Sequence, residues 1–191
     1  MIQSTRLQRA ALLAALLAAP GLHAAEVAGV QVPESVRVGG SELLLNGAGL
    51  RSKLFFKVYV GALYVGQKTA SPAAIYDSPA PRRMTLRMMR ELDAEALHAA
   101  LDEGLQNNLS PAELAELKTP AGQLAALMKA IGKVREGDTI AIDFTADGVA
   151  VGLNGESRGR VAGAAFARAL LRVWMGDRPA DASLKKALLG S

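Results

Sequence analysis

Residues 54–65 read Leu-Phe-Phe-Lys-Val-Tyr-Val-Gly-Ala-Leu-Tyr-Val. In an extended chain, alternate side chains point to opposite faces of the sheet. One set is Leu54, Phe56, Val58, Val60, Ala62 and Tyr64, and the other is Phe55, Lys57, Tyr59, Gly61, Leu63 and Val65. Both sets are mostly apolar, so this stretch is predicted to be a central strand that is covered on both faces.

More strands are predicted on either side of this stretch. Before it, residues 27–32 and 41–46 have strand character, and Asn-Gly-Ala-Gly at 46–49 predicts a turn. After it, residues 83–89 alternate between apolar and polar side chains. Residues 139–145 and 149–153 flank Asp147-Gly148, which is a strong hairpin signal.

Helical periodicity appears between and after these strands. Residues 71–76 predict one helical turn, and Leu97, Leu101 and Leu105 form an apolar stripe on a helix that begins at Asp93. Further helices are predicted from the Ser110 to Glu113 capping box, from Thr119-Pro120, over residues 166–174 before Gly176, and from Asp181 to Leu189. This order of elements predicts an α+β fold with an antiparallel sheet.

Composition limits the class of protein. The chain has 191 residues, of which 50% are hydrophobic and 21% are charged, so it suits one globular domain over residues 25–191 and excludes a disordered tail. The absence of cysteine excludes disulfides, thiolate catalysis and sulfur-based zinc sites. Neither a metal nor a cofactor is expected.

The first 24 residues are predicted to be a cleaved secretory signal. Arg6 and Arg9 precede an apolar run over residues 10–19, Pro20-Gly21 interrupts it, and Ala24-Ala25 offers a small-residue cleavage site. The run is shorter than the roughly 20 apolar residues that span a bilayer. We therefore expect a periplasmic or secreted product with no stable membrane span after cleavage, with a retained N-terminal anchor as the alternative.

Several motifs do not support a function. Gly-Glu-Ser-Arg-Gly at 155–159 matches a nucleophile elbow, but no histidine follows Ser157, so we interpret it as a chance loop. Gly-Ala-Gly-Leu-Arg-Ser at 47–52 lacks the third glycine of a dinucleotide-binding loop. His98 has no histidine partner for a metal. The basic cluster Arg82, Arg83, Arg87 and Arg90 lacks neighbouring aromatic residues, so we expect a solvated sheet face and no nucleic-acid binding.

Three residues suggest an anion site. Arg51 follows the glycine-rich stretch, while Lys57 and Tyr59 are predicted to project from one face of the central strand beside Phe55 and Leu63. A guanidinium and a phenol beside an apolar wall suit a small amphipathic anion. The alternative from the residues alone is a surface arginine and a tyrosine packed in the core.

Asn-Gly-Ala-Gly-Leu-Arg at 46–51, followed by Phe-Lys-Val-Tyr-Val-Gly-Ala-Leu-Tyr-Val at 56–65, resembles the chalcone isomerase superfamily. The segments at 163–170, 174–179 and 184–190 resemble its bacterial exported branch. The resemblance implies an open-faced β-sandwich, in which an antiparallel sheet is covered by helices and a ligand cleft lies between them. It also implies that Arg51 binds an oxygen of the ligand. In non-catalytic members of the family, a strand tyrosine at the position of Tyr59 helps this arginine to hold a fatty-acid carboxylate.

The departures from the enzyme pattern bear on activity. Tyr59 stands where the isomerases tend to have threonine, and the helix at 93–105 lacks their tyrosine–asparagine pair. Three functions therefore stay open: a non-catalytic module that binds an amphipathic anion such as a fatty acid, an intramolecular lyase that closes a chalcone-like phenolic with Arg51 as electrophilic stabiliser, and a vestigial cleft that serves a protein partner.

Overall fold

The computed structural model describes residues 24–190. The signal that we predict over residues 1–24 lies outside this part of the chain except for Ala24, so it stays a prediction. Within residues 24–190, no helix combines the length and the hydropathy that crossing a membrane requires.

Eleven strands lie within the described residues. They are β1 (Ala24–Val27), β2 (Val30–Pro33), β3 (Ser35–Val38), β4 (Ser41–Lys53), β5 (Phe56–Val65), β6 (Arg82–Met88), β7 (Leu92–Asp93), β8 (Lys133–Val134), β9 (Thr139–Thr145), β10 (Gly148–Leu153) and β11 (Glu156–Ala162). Seven of them form one sheet in the order β11-β10-β9-β6-β5-β4-β3, while β1 pairs with β2 and β7 with β8. All neighbours are antiparallel, as the sequence predicted.

Six helices lie in the same part of the chain. They are α1 (Pro72–Tyr76), α2 (Ala94–Asn108), α3 (Pro111–Glu116), α4 (Lys118–Ile131), α5 (Ala164–Met175) and α6 (Ala182–Leu188). The capping box is confirmed, since the Ser110 hydroxyl accepts from the Glu113 amide at 3.3 Å and the Glu113 carboxylate accepts from the Ser110 amide at 2.7 Å. Asp181 caps α6 as predicted. Asp93 occupies the N-cap of α2 but makes no capping hydrogen bond with its side chain.

Strand β5 is covered on both faces, as predicted. Towards the helices, Tyr59, Leu63 and Val65 join a core that includes Phe166 and Trp174. On the opposite face, a second cluster holds Val60, Ala62 and Tyr64 together with Val32, Val38 and Leu43. The helices therefore cover one side of the sheet, and the β1–β2 hairpin helps to cover part of the other. This arrangement confirms the predicted open-faced α+β sandwich.

The predicted turn at residues 46–49 is wrong. This stretch lies inside β4, which continues to Lys53, and the chain reverses at Leu54-Phe55. The glycines serve close packing instead, because α6 crosses β4 here. A Cβ atom at Gly47 would lie 2.1 Å from the Ala187 carbonyl oxygen, a distance that no side chain can occupy. Leu54 and Phe55, which were predicted to begin the central strand, therefore form the turn of the β4–β5 hairpin.

Asn46 joins the sheet to α6. The pairing of β4 with β5 shifts between Leu45 and Gly47, so Asn46 is the extra residue of a β-bulge. Its amide nitrogen donates to the Leu188 carbonyl at 2.7 Å and to the Thr69 carbonyl at 3.0 Å, and its oxygen accepts from the Thr69 amide at 2.8 Å. One side chain thus anchors two distant parts of the chain to the edge of the bulge.

At the β11 edge of the sheet, the structure contains one strand, β11 itself, that the sequence analysis did not predict. The β9–β10 hairpin is confirmed, with Ala146-Asp147 at the turn. The elbow-like stretch at 155–159 is not a loop, since most of it lies in edge strand β11, where Ser157 is exposed. Asn154-Gly155 is the turn before it, and both residues have positive φ, at 54° and 84°. Asn-Gly is a strong signal for such a turn.

The predicted solvated basic face is wrong for two of its four arginines. Arg82 is 3% exposed, and its guanidinium donates to the backbone carbonyls of Ile75, at 3.2 Å, and Ser78, at the end of α1. Arg83 holds both carboxylate oxygens of Asp143, at 2.5 and 2.7 Å. Their roles are therefore structural: Arg82 satisfies carbonyls after a helix, and Arg83 joins β6 to β9.

Candidate functional site

Arg51 and Tyr59 lie opposite each other on neighbouring strands. Arg51 is near the end of β4 and pairs with Tyr59 of β5 in the antiparallel register. The Arg51 guanidinium carbon lies 5.5 Å from the centre of the Tyr59 ring, which is within the range of a cation–π contact. The structure therefore brings together two of the three predicted site residues.

Lys57 is not part of this group. The pairing shifts between Arg51 and Ser52, whose partners are Tyr59 and Lys57, so Val58 is the extra residue of a second bulge. Val58 and Tyr59 both join the core beneath the helices, whereas Lys57 is exposed. The bulge breaks the alternation on which the prediction for Lys57 depended, so we leave Lys57 out of the anion site.

The Tyr59 hydroxyl is held from the helical layer. Tyr59 is 1% exposed, and its oxygen accepts a hydrogen bond of 2.9 Å from the indole nitrogen of Trp174 on α5. Burial raises the pKa of Tyr59, although the positive charge of Arg51 and the Trp174 hydrogen bond oppose this effect. The phenol is therefore neutral at physiological pH, and its own hydrogen remains a donor.

Arg51 carries an unused hydrogen-bond donor. Its Nε atom is buried and has no hydrogen-bond partner among residues 24–190. Arg51 is also absent from the ion pairs of this part of the chain. A buried donor without a partner costs about 1–3 kcal/mol, and more when the group is charged. An oxygen of a bound anion would satisfy this atom.

A cleft of about 230 Å³ opens beside Arg51. It lies between the β4–β5 hairpin and α2, and we call it the Arg51 cleft. Its lining consists of Arg51, Lys53, Leu54, Phe56, Val58, Arg90, Leu92, Ala96, Leu97 and Ala100. This lining contains three cations and no acid, and α2 contributes only apolar side chains. Of the three predicted site residues, Arg51 alone lines the cleft, and Tyr59 supports it from the core.

The sequence analysis missed two contributors to this region. Arg90 was grouped with the solvated cluster, but its guanidinium lies 4.9 Å from the centre of the Phe56 ring. Trp174 was included only in the helix that is predicted over residues 166–174 and in the segment 174–179 of the family resemblance. As the single tryptophan of the chain it was a visible candidate, because a buried indole needs an acceptor for its N–H.

Comparison with known proteins identifies the family. The family model described as chalcone isomerase-like matches residues 24–190. The chain belongs to the chalcone isomerase-like family. A search of curated proteins found no match to this chalcone isomerase-like chain.

Among solved structures, the chain is similar to the crystal structure of the Arabidopsis thaliana fatty-acid binding protein AtFAP1. The TM-score is 0.66 at 19% sequence identity, and the match covers 84% of this chalcone isomerase-like chain and 92% of the plant protein. At this identity the similarity establishes the shared fold.

Proposed function

We propose that this protein binds a small amphipathic anion without catalysing a reaction on it. The anionic group pairs with Arg51, and the apolar part of the ligand occupies the Arg51 cleft. The observation that carries the proposal is the buried Nε of Arg51, which has no partner among residues 24–190. An arginine fork binds carboxylate with two parallel hydrogen bonds, so a carboxylate suits this position.

The ligand class follows from the shape and charge of the cleft. Three cations and an apolar wall, with no acid, favour a molecule that has one negative end and one apolar end. The volume of about 230 Å³ is below the 300–1,000 Å³ that is usual for drug-sized ligands. We therefore propose a fatty acid whose chain is short, or whose tail projects from the cleft. The structurally similar protein AtFAP1 is a fatty-acid binding protein, which agrees with this class.

Tyr59 has a positioning role in this proposal. Its ring lies against the Arg51 guanidinium, and the Trp174 hydrogen bond fixes its hydroxyl. A fixed aromatic face restricts where the guanidinium can go, which lowers the entropy cost of binding.

The side chains that α2 contributes to the Arg51 cleft do not support an isomerase function. Ring closure of a chalcone requires polar groups that orient the phenolic substrate and stabilise its developing charge. The α2 side chains in the cleft are Ala96, Leu97 and Ala100, none of which can do so. We therefore favour binding over catalysis. We also propose, from the pattern of residues 1–24 alone, that the protein is exported and acts in the periplasm or outside the cell.

Calorimetric titration with decanoate and with decan-1-ol tests the proposal, since the two probes share a chain and differ in charge. We expect decanoate to bind at least tenfold more tightly, because charge-assisted hydrogen bonds contribute about 1.5–3 kcal/mol. In Arg51→Gln this preference should disappear, whereas the exposed-site control Arg37→Gln should keep it. Equal affinities in the unmodified protein would refute the proposal.

A second assay addresses catalysis directly. Ring closure of a 2′-hydroxychalcone can be followed by the loss of its visible absorbance. We expect the rate with the protein to equal the rate in buffer. Catalysed closure that Arg51→Gln abolishes would replace the binding function with the lyase.

A further inference from the structure

The tip of the β4–β5 hairpin exposes large apolar side chains to solvent. Leu54 is 84% exposed, Phe55 99% and Phe56 58%. Among residues 24–190, the other large hydrophobic side chain that is exposed is Leu44, at 41%. Exposed apolar surface is therefore concentrated at one point, and such concentrations mark interaction sites.

The backbone of this tip holds Leu54 in an unfavourable conformation. Leu54 has φ of +56°, which a side chain with a Cβ disfavours. Two-residue hairpin turns normally place glycine, asparagine or aspartate at such a position. The chain instead keeps a leucine that packs little and is strained, and a function for the exposed side chain would explain this choice.

Cations surround the apolar tip. Lys53 and Lys57 flank it, both are exposed, and neither belongs to an ion pair within the described residues. Arg90 lies against the Phe56 ring. The acid next to Arg90 in sequence, Glu91, is paired with Lys133 at 3.0 Å. Exposed apolar side chains that are bordered by lysine and arginine are complementary to a surface in which anionic groups lie above an apolar layer.

We propose that the hairpin tip, residues 53–57, docks on an anionic lipid bilayer. Leu54 and Phe55 enter the interface, and Lys53 and Lys57 meet the phosphate groups. Leu54 and Phe56 also line the Arg51 cleft, so docking brings the cleft to the lipid surface. A second copy of the chain fits less well, because two tips in contact would bring four lysines together. The docking goes beyond anion binding and does not depend on it.

Fluorescence of the full-length variant Phe55→Trp tests the docking locally, so binding through residues 1–24 cannot imitate the result. Vesicles of equal parts phosphatidylglycerol and phosphatidylcholine should shift its emission to the blue, and brominated phosphatidylcholine included in them should quench it. In the matched control Leu44→Trp, the emission should be neither shifted by the vesicles nor quenched by the brominated lipid. The native Trp174 contributes equally to both proteins. No shift in Phe55→Trp, or an equal shift in Leu44→Trp, overturns the proposal.

The role of charge has its own control. In the Phe55→Trp background, Lys53→Gln with Lys57→Gln should raise the lipid concentration for half-maximal shift at least tenfold, because each cation near an anionic surface adds to binding. Lys118→Gln with Lys129→Gln on α4 removes the same charge elsewhere and should leave it unchanged. Equal binding to pure phosphatidylcholine, or equal loss in both double variants, overturns the choice of an anionic surface.

Two further measurements separate the competing explanations. Sedimentation without vesicles should give a monomer, and a dimer that Phe55→Ser dissociates would assign the tip to a second copy and overturn the proposal. Arg51→Gln should dock on vesicles even if it no longer prefers decanoate. Docking can thus stand where anion binding fails, and anion binding can stand where docking fails.

Discussion

Burial raises the pKa of two tyrosines, and nearby cations and hydrogen bonds oppose this effect at both of them. Tyr59 lies beside the Arg51 guanidinium and accepts a hydrogen bond from the Trp174 indole, and both oppose the effect of burial on its pKa. Tyr64, on the opposite face of β5, is 1% exposed, and burial raises its pKa to about 12. Each phenol therefore stays protonated to a higher pH in the folded protein than in the unfolded chain.

The raised pKa of Tyr64 predicts a loss of stability at high pH. The folded state holds this proton more tightly, so the contribution is complete below pH 10 and is lost as the pH rises towards 12. A shift of two pKa units corresponds to about 3 kcal/mol at most. We expect the free energy of unfolding in urea to fall less between pH 9 and 11.5 in Tyr64→Phe than in the unmodified protein. The variant Tyr76→Phe is the control, and a fall in Tyr64→Phe as large as in that control would contradict the prediction.

The positive φ of Leu54 predicts a stabilising substitution. Glycine adopts this conformation without the cost of about 1–2 kcal/mol that a side chain incurs, although its unfolded chain has more freedom. Leu54→Gly should therefore raise the free energy of unfolding by about 1 kcal/mol, which corresponds to about 2–4 °C in Tm at this chain length. Phe55→Gly removes similar exposed surface without relieving strain. Equal Tm values for the two variants would argue against strain at Leu54.

The helix caps and turns that were predicted correctly from the sequence are those that depend on residues close together in the chain. The Ser110 capping box, the Asp181 cap and the β9–β10 hairpin each depend on a few neighbouring residues, and the structure contains all three. The β4–β5 turn was misplaced because Leu54-Phe55 has no turn-forming residue, while the glycines at 47 and 49 serve packing against α6, which lies far away in sequence. The bulge at Val58 likewise depends on pairing with another strand, and no local pattern marks it.

The crossing of α6 over β4 predicts a specific cost for one methyl group. Gly47→Ala would place a Cβ atom against backbone oxygens of α6, at 2.1 Å from Ala187 and 2.8 Å from Leu188, and a backbone cannot move aside as a side chain can. We expect the free energy of unfolding to fall by about 1–3 kcal/mol. Hydrogen exchange of the α6 amides should accelerate.

Gly66→Ala is the matched control for this helix contact, since no atom lies within 4 Å of the added methyl group. Its stability should stay within about 1 kcal/mol of the unmodified protein. If both variants lost the same stability, the close approach of α6 would not be the cause.

At the scale of the whole molecule, one core joins the sheet to the helices. Trp174 belongs to α5, contacts Tyr59 of β5, and shares its core with residues of β9, β10, α2 and α4. The site depends on the same packing, because the Trp174 hydrogen bond fixes the tyrosine beneath Arg51. The sequence predicted the layers of this architecture, but not which side chains meet across them, since Tyr59 and Trp174 are 115 positions apart.

This shared core predicts that unfolding is a single transition. Trp174 fluorescence reports the core locally, and far-UV circular dichroism reports all helices and strands. Their urea midpoints should agree, because the helical layer cannot detach while its core with the sheet stays intact. A fluorescence midpoint clearly below that of the dichroism would show that the helices leave the sheet first.

The hydrogen bond from Asn46 to Leu188 also affects the order in which a newly made chain acquires its structure. The carbonyl that Asn46 binds belongs to Leu188, 142 positions later, so the ribosome must add all of the intervening residues before this bond can form. Until then the packing surface at Gly47 has no helix upon it. Helix α6 can therefore pack on β4 only long after the ribosome has made that strand.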